Sequence, residues 1–280
     1  MTALSISSLW RYPVKSMAGE ELDSIDVTAT GLHGDRAYAL VDSASRRVGS
    51  AKSVKKFGEL LKWKAQFKIP PRTGHAMPGV RLTHPDGASI DSDQPDMGAM
   101  LAATFGPHVT LQAMASEGLM LEFAAGTLGG KHIQSTEVPI AGGAPKGTFF
   151  DYGAIHLVTT STVRHLQGAH ASGEISIQRF RPNLVVDSGS ETGFVENAWI
   201  GRTFGIGPEL TLRVSIPCPR CVMATLPRAG LPSDPALIRL IARMNTLDLG
   251  EIGRLPCVGV YAEVVGPGRV QRGDRVRLID

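Results

Sequence analysis

The sequence has no uncharged apolar stretch approaching the roughly 18 residues that a membrane-spanning helix requires, so direct membrane insertion is not expected. Cysteine is scarce. Three in 280 residues, an odd number, exclude the disulfide framework of a small secreted domain and point to a reducing compartment. The short apolar start meets Arg11, Pro13 and Lys15 without the charged beginning and long apolar centre of a signal peptide, so the expected location is cytoplasmic. Net charge is also small, at +3, and no block of about five like charges occurs, which argues against nucleic-acid binding and leaves the basic residues to act locally. Internal repeats and low-complexity tracts are lacking.

What is present is an ordinary globular composition, 42% hydrophobic and 20% charged, with 32 Gly and 18 Pro that imply many turns and short elements. Ala3 to Trp10 reads as a strand entering the polar turn Arg11-Tyr12-Pro13, which puts Lys15 and Ser16 at a strand end. Strands are expected at Glu21 to Thr28 and Ala37 to Asp42, around the turn Gly31 to Arg36, with helices near Lys55 to Trp63 and Asp96 to Phe105. The Pro- and Gly-rich stretches Pro70 to Gly87 and Leu128 to Thr148 read as loops, the second as a domain junction around Gly129-Gly130 and Ala141 to Pro145. Beyond it, Ala154 to Thr160 reads as a strand, Ser161 as the cap of a helix, and Ile175 to Phe180, Leu184 to Asp187, Trp199 to Gly201 and Leu210 to Ile216 as further β structure. Asp234 and Pro235 start a helix with Leu237, Leu240, Ile241 and Met244 at helical spacing. Two closing strands flank Gly266-Pro267-Gly268, with a further turn at Gly273-Asp274.

The most chemically suggestive segment is Pro217-Cys218-Pro219-Arg220-Cys221. A Cys-x-x-Cys pair can share a metal, form a disulfide or supply a reactive thiolate. Structural zinc needs four ligands, and neither a second Cys pair nor a spaced His pair completes the set. A thioredoxin-like pair has in its favour a neighbouring arginine that promotes thiolate, but such a pair opens a long helix, and Pro227 follows within six residues of Cys221. Two small buried cysteines are the bland reading, and the one that suits Cys257. The fourth is a single soft thiolate ligand to a transition metal held mainly by another molecule.

The order of four landmarks goes further than any one of them. Leu9-Trp10-Arg11-Tyr12-Pro13-Val14-Lys15-Ser16, Gly34-Asp35-Arg36, Arg179-Phe180-Arg181-Pro182-Asn183-Leu184-Val185-Val186 and the Cys-Pro-Arg-Cys segment together resemble the MOSC superfamily. The likeness is greatest to bacterial and mitochondrial amidoxime-reducing molybdoproteins. It implies an α+β, predominantly β fold, with an N-terminal β-rich MOSC-associated region, set at residues 1–125, and a distorted C-terminal MOSC β-barrel at 126–280, strands possibly shared. It further implies a molybdenum-molybdopterin cofactor whose dithiolene supplies two sulfurs and Cys221 another. Lys15, Ser16, Arg36 and Arg181 match the residues that contact the cofactor in such proteins, with Pro219 and Arg220 flanking the ligand. Arginine can grip the pterin phosphate with two parallel charge-assisted bonds, lysine gives a point charge, and cations favour the Cys221 thiolate.

Two functions follow from the resemblance. One is reduction of N-hydroxylated or related N-oxygenated small molecules, with Cys221 and Asn183 catalytic, Asn183 orienting substrate or metal-bound water, and electrons from a separate protein, since no Cys-rich iron-sulfur module is present. The other is cofactor binding or sulfur transfer through a Cys221 persulfide. Pyridoxal phosphate is not expected, because no lysine is an obvious Schiff-base site. His33 and His156, the histidines nearest these segments, read as structural. The sequence departs from the family pattern at Gly153-Ala154, where hydroxyls sometimes occur, and after Cys221, where Thr225-Leu226-Pro227-Arg228-Ala229-Gly230 replaces an acidic Thr-x-Asp-Pro-Asp-Thr-Gly and so alters the expected substrate preference.

Overall fold

The computed structural model describes residues 4–123, 126–128, 131–133, 136–140, 145, 147–170 and 173–279. Strand outweighs helix, 38% against 20%, as the abundance of turn residues predicts. At the centre is a closed barrel of seven strands: β1 (Leu4–Arg11), β2 (Ile155–Thr159), β3 (Leu184–Asp187), β4 (Thr203–Ile206), β5 (Leu210–Pro219), β6 (Arg254–Gly266) and β7 (Arg275–Leu278). They run β2-β3-β1-β7-β4-β5-β6, and β6 returns to β2 with Leu157 opposite Val260, which removes the free edges. All neighbours are antiparallel except β2 and β3. That parallel pair needs a crossover, which the helix Thr160–Ala169 (α1) provides.

Alternation makes the barrel core. Along β5, Leu210, Leu212 and Val214 are buried while Arg213 is exposed, and they join Ile6, Leu9, Leu157, Leu184, Ile206 and Val260 inside. A second core lies in the N-terminal region, where Val14, Met17, Leu40, Phe57, Trp63, Leu82 and Phe105 pack together. Strands Ala39–Asp42 and Val80–Thr83 and the helix Met97–Phe105 supply Leu40, Leu82 and Phe105. The helix Pro235–Met244 (α2) packs through Leu237, Leu240 and Ile241 near Leu166 of α1 and Val258 of β6. Asp234 caps it by accepting from Leu237 N at 3.2 Å, as its sequence predicts.

Several elements differ from the sequence reading. Val80–Thr83 is a strand inside the expected Pro70 to Gly87 loop, and short strands at Lys131–Ile133 and Thr136–Pro139 occupy part of the second expected loop. Gly129-Gly130 and Ala141 to Ala144 lie outside the described residues. Thr159, not Ser161, caps α1, accepting from Thr162 N at 3.3 Å. Ile177–Arg179 is a 3-10 turn where β structure was expected, and Trp199, expected to open the strand Trp199 to Gly201, ends the 3-10 turn Val195–Trp199. Position 125/126 falls between Met120–Phe123 and Thr136–Pro139, which pair with Leu121 opposite Val138. β1 meanwhile belongs to the barrel built otherwise from residues after 154.

Candidate functional site

The chain leaving β1 forms a strap, Tyr12 to Met17, against the turn 33–36. Tyr12 N donates to Asp35 Oδ1 at 2.8 Å, Arg36 N donates to Tyr12 O at 2.7 Å, and Lys15 N donates to Tyr38 O at 2.8 Å. These bonds place Lys15 and Ser16 beside Arg36. The other wall is the loop before β3: Tyr12 Oη donates to Pro182 O at 3.1 Å and Arg181 Nη1 to Met17 O at 2.6 Å. Tyr12 is therefore a hub. Arg36 and Arg181 both stack on its ring, with guanidinium carbons 4.5 and 4.2 Å from the centroid. Burial pushes its phenol up to about 12 even though both arginines pull it down.

Ser16, Arg36 and Arg181 have φ values of 66°, 47° and 54°; besides Arg46 they are the described non-glycine residues with positive φ. Left-handed backbone is disfavoured for side chains of this size and persists only where surrounding bonds impose it. Three sequence-predicted site residues thus sit on strained backbone converging on one place.

Charge there is lopsided. Lys15 and Lys52 pair with Asp151 and Arg36 with Asp35, Arg181 feels both carboxylates, and Arg228 follows close to Arg181 and Arg220. Burial, then repulsion from Arg36, lowers Arg181 to about 10, and burial, then Arg181, lowers Arg228 to about 9. Lys15 is lowered to about 8, chiefly by burial, although it bonds Asp151 and donates to Phe149 O at 2.7 Å. A buried cluster with more cations than carboxylates favours a bound anion.

Asn183 takes a different part. Its Oδ1 accepts from His156 N at 3.1 Å, and its Nδ2 donates to Trp10 O at 3.2 Å and Asp35 Oδ2 at 3.0 Å. At 1% exposure, with these bonds made, the amide ties β1, β2 and the 33–36 turn together and offers nothing toward a substrate; the geometry gives no support to the catalytic role expected of it.

The cysteine loop closes the site. Cys218 lies one residue before the end of β5 and is buried; Cys221 follows Pro219 and Arg220, is half-buried, and precedes the 3-10 turn Val222–Ala224. Arg220 donates from Nη1 to Cys218 Sγ at 3.0 Å and from Nη2 to Phe180 O at 3.0 Å, which leaves its buried Nε without a bond inside the protein. Burial pushes the Cys218 thiol up, but His156, Arg220 and hydrogen bonds from His156 and Tyr261 outweigh it and hold the group well below its ordinary value. Cys257 is different: burial, with Cys218 adding to it, drives it up to about 12.

The sequence reading missed Lys52, Asp151, Tyr261 and Arg228, and gave Tyr12 no role of its own. Asp151 could have been noticed as an acid just before a strand bearing expected cofactor contacts; nothing local marks Lys52. Gly153, one of the departures from the family pattern, has a packing reason: a Cβ there would lie 2.5 Å from Tyr261 Cδ1.

Some solved structures align with this chain at low identity. The YuaD protein of Bacillus subtilis aligns over 98% of this chain and 94% of its own, at 12% identity and a TM-score of 0.45. YiiM of Geobacillus stearothermophilus aligns over 56% and 70% at 15% identity and 0.34, and YiiM of Escherichia coli over 46% and 55% at 18% and 0.32. Likeness this remote has no bearing on function. No curated protein sequence matches significantly. The family profiles are decisive: the MOSC N-terminal beta barrel domain matches residues 3–97 and the MOSC domain, which is associated with molybdenum cofactor binding, matches residues 144–277. The chain belongs to the MOSC superfamily and carries both its N-terminal β-barrel domain and its MOSC domain.

Proposed function

We propose that the chain binds a molybdenum-pterin cofactor with Cys221 as the protein's ligand to the metal, and that it reduces N-hydroxylated or related N-oxygenated small molecules with electrons from a separate donor protein. The observation that carries the reading is the buried cationic cluster lying between the strap, the 33–36 turn and the Cys218–Cys221 loop. The donor set fits the group: cations for a phosphate, a half-buried thiol for a soft metal, and an orphaned arginine Nε beside it. Among the described residues no cluster of three His, Cys, Asp or Glu side chains could hold a metal alone, so a metal here calls for ligands supplied with it.

When bound, the cofactor supplies the two-electron oxygen-removal chemistry. The chain's own residues bind and orient. Lys15 and Arg36 act from the strap side, Arg181 and Arg220 from the barrel side, and Arg220 also fixes the cysteine loop by bonding Phe180 O and Cys218 Sγ. Pro219 stiffens that loop. Asn183 positions the Arg181 loop. Arg228, standing where the family pattern is acidic, favours a substrate with negative charge. Molybdenum and pterin assayed in folded protein from molybdate-supplied cells test the reading, and their absence rejects it.

The two free cysteines of one loop, Cys218 and Cys221, favour a second reading, sulfur transfer, in which Cys221 carries persulfide. Persulfide on Cys221 of metal-free protein selects it; rapid reoxidation of the reduced, metal-loaded chain by an amidoxime selects the reductase.

A further inference from the structure

A cleft of about 400 Å³ opens between β5, the 3-10 turn Val195–Trp199 and the strand Thr246–Asp248, and none of the buried basic residues described above lines it. Tyr152, Ile200, Ile216, Leu247 and Ile252 make its lining apolar. Three of these, Tyr152, Ile200 and Ile252, are 40%, 39% and 52% exposed, so the cleft leaves a continuous apolar surface in water, and its volume suits a ring-sized small molecule. Its one unusual polar feature is Asn197. That side chain donates from Nδ2 to Asn245 Oδ1 at 2.9 Å, and the buried Asn245 donates from its own Nδ2 to Cys257 O at 2.9 Å. The second bond orients Asn245 and so dictates which end of Asn197 faces it. Asn197 Oδ1 is left buried with no hydrogen-bond partner among the described residues, a costly state that calls for a donor. Ile200 lies three residues further along, on the face that 3-10 geometry gives to Asn197, and its partial exposure leaves it room to swing aside. The carboxylate of the lining, Asp248, stands opposite Arg254 in the strand pairing, so the cleft offers no net charge to an ionic ligand.

We propose that this cleft binds a neutral aromatic small molecule carrying an O–H or N–H donor, with the ring against the apolar lining and the donor on Asn197 Oδ1. Seating the donor moves Ile200 aside and gives the stranded acceptor its bond. The site needs neither metal nor cofactor and so goes beyond the reading above. Pro217 lines the cleft one residue before Cys218, and Tyr152 packs on Tyr261 with 5.8 Å between ring centroids, so a bound ring abuts the strand end that leads into the cysteine loop.

The test is equilibrium dialysis of the full, ligand-free chain at pH 7 against 2-naphthol and against 2-methylnaphthalene, which has nearly the same shape and no donor. Wild type is expected to bind 2-naphthol at least about fivefold tighter, although the methyl compound is the more hydrophobic of the two. Asn197→Leu is expected to erase or reverse that preference. Ile252→Lys, at an exposed position, puts a charge into the apolar cleft and is expected to weaken 2-naphthol binding by at least about tenfold. The proposal is overturned by no saturable binding of 2-naphthol, by equal or tighter binding of 2-methylnaphthalene to wild type, or by undiminished 2-naphthol binding to Ile252→Lys. A folded Asn197→Leu protein that keeps the wild-type preference overturns it too. Should Asn197→Leu not fold, Ile200→Ala, which uncovers the acceptor, is expected to widen the preference for 2-naphthol; an unchanged or narrower preference overturns the proposal. The two readings fail separately. Molybdenum in wild type without 2-naphthol binding rejects only this inference, and selective 2-naphthol binding without molybdenum rejects only the cofactor assignment.

Discussion

Replacing Asp35 or Asn183 with alanine tests whether the site is held together by a buried polar tie. Asp35 accepts from Tyr12 N at 2.8 Å and from Asn183 Nδ2 at 3.0 Å, pairs with Arg36, and has a side chain with no exposure. Its removal strands two donors and a guanidinium, a loss of about 3–5 kcal/mol. Asn183→Ala removes the acceptor of His156 N and the donor to Trp10 O and Asp35, a loss of about 2–4 kcal/mol at ~1 kcal/mol per bond plus the cost of stranded groups. Because the substitutions share one bond, the double variant should lose less than the two singles together, by about 1–2 kcal/mol. Urea unfolding of the metal-free chain at pH 7, at one protein concentration for all four species, measures the cycle. Losses below about 1 kcal/mol for both singles, or additivity within about 0.5 kcal/mol, would refute the reasoning. So would an Asn183→Ala protein of wild-type stability that bound cofactor and lost only turnover, which would return Asn183 to the catalytic role its geometry denies it.

Cys221→Ser is expected to lose molybdenum far more completely than Cys218→Ser, measured as metal per folded chain; equal and negligible losses reject the ligand assignment. Lys15 is held at about 8 against an ordinary 10.5, so between those pH values the unfolded chain keeps a proton the folded chain has released, and stability from this group rises with pH. The unfolding free energy of wild type relative to Lys15→Met should therefore climb by roughly 3 kcal/mol from below pH 8 to above 10.5, and a flat difference counts against it. Gly153→Ala drives a Cβ to 2.5 Å from the half-buried Tyr261 ring and should cost about 1–3 kcal/mol in the same unfolding assay; stability within about 0.5 kcal/mol of wild type would show that the ring yields freely.

The parts of the site that were legible in the sequence are those written contiguously. The Leu9 to Ser16 segment, Gly34-Asp35-Arg36 and Arg181-Pro182-Asn183 each set a strand end beside a basic residue, and the fold brings them together around Tyr12. Their left-handed backbone was hidden, since arginine and serine carry no local preference for it and only tertiary bonds impose it. Lys52 and Asp151 were invisible for a related reason: each is ordinary among its neighbours, and their meaning arises from a pairing across about a hundred residues. Composition misled at Val80–Thr83, where four residues sit inside a Pro- and Gly-rich stretch yet pair with Lys64–Phe67. At Ile177–Arg179 apolar content suggested a strand, but Ser176 captures Gln178 N and turns the chain instead.

The membership of β1 in the barrel has a consequence for assembly. Its Leu9 to Arg11 end pairs with the nearby Glu20 to Leu22, but its barrel partners, Leu184 to Asp187 and Arg275 with Val276, are complete only when nearly all the chain has been made. Contacts of such sequence separation are slow to form, and the strap that carries Lys15 and Ser16 hangs from that strand. On the ribosome the anion site therefore cannot form from the N-terminal segment alone; its Arg181 wall arrives with Leu184 to Asp187, and a chain truncated before Arg275 would lack the strand that pairs with Leu4 and Ser5 and continues the barrel from β1.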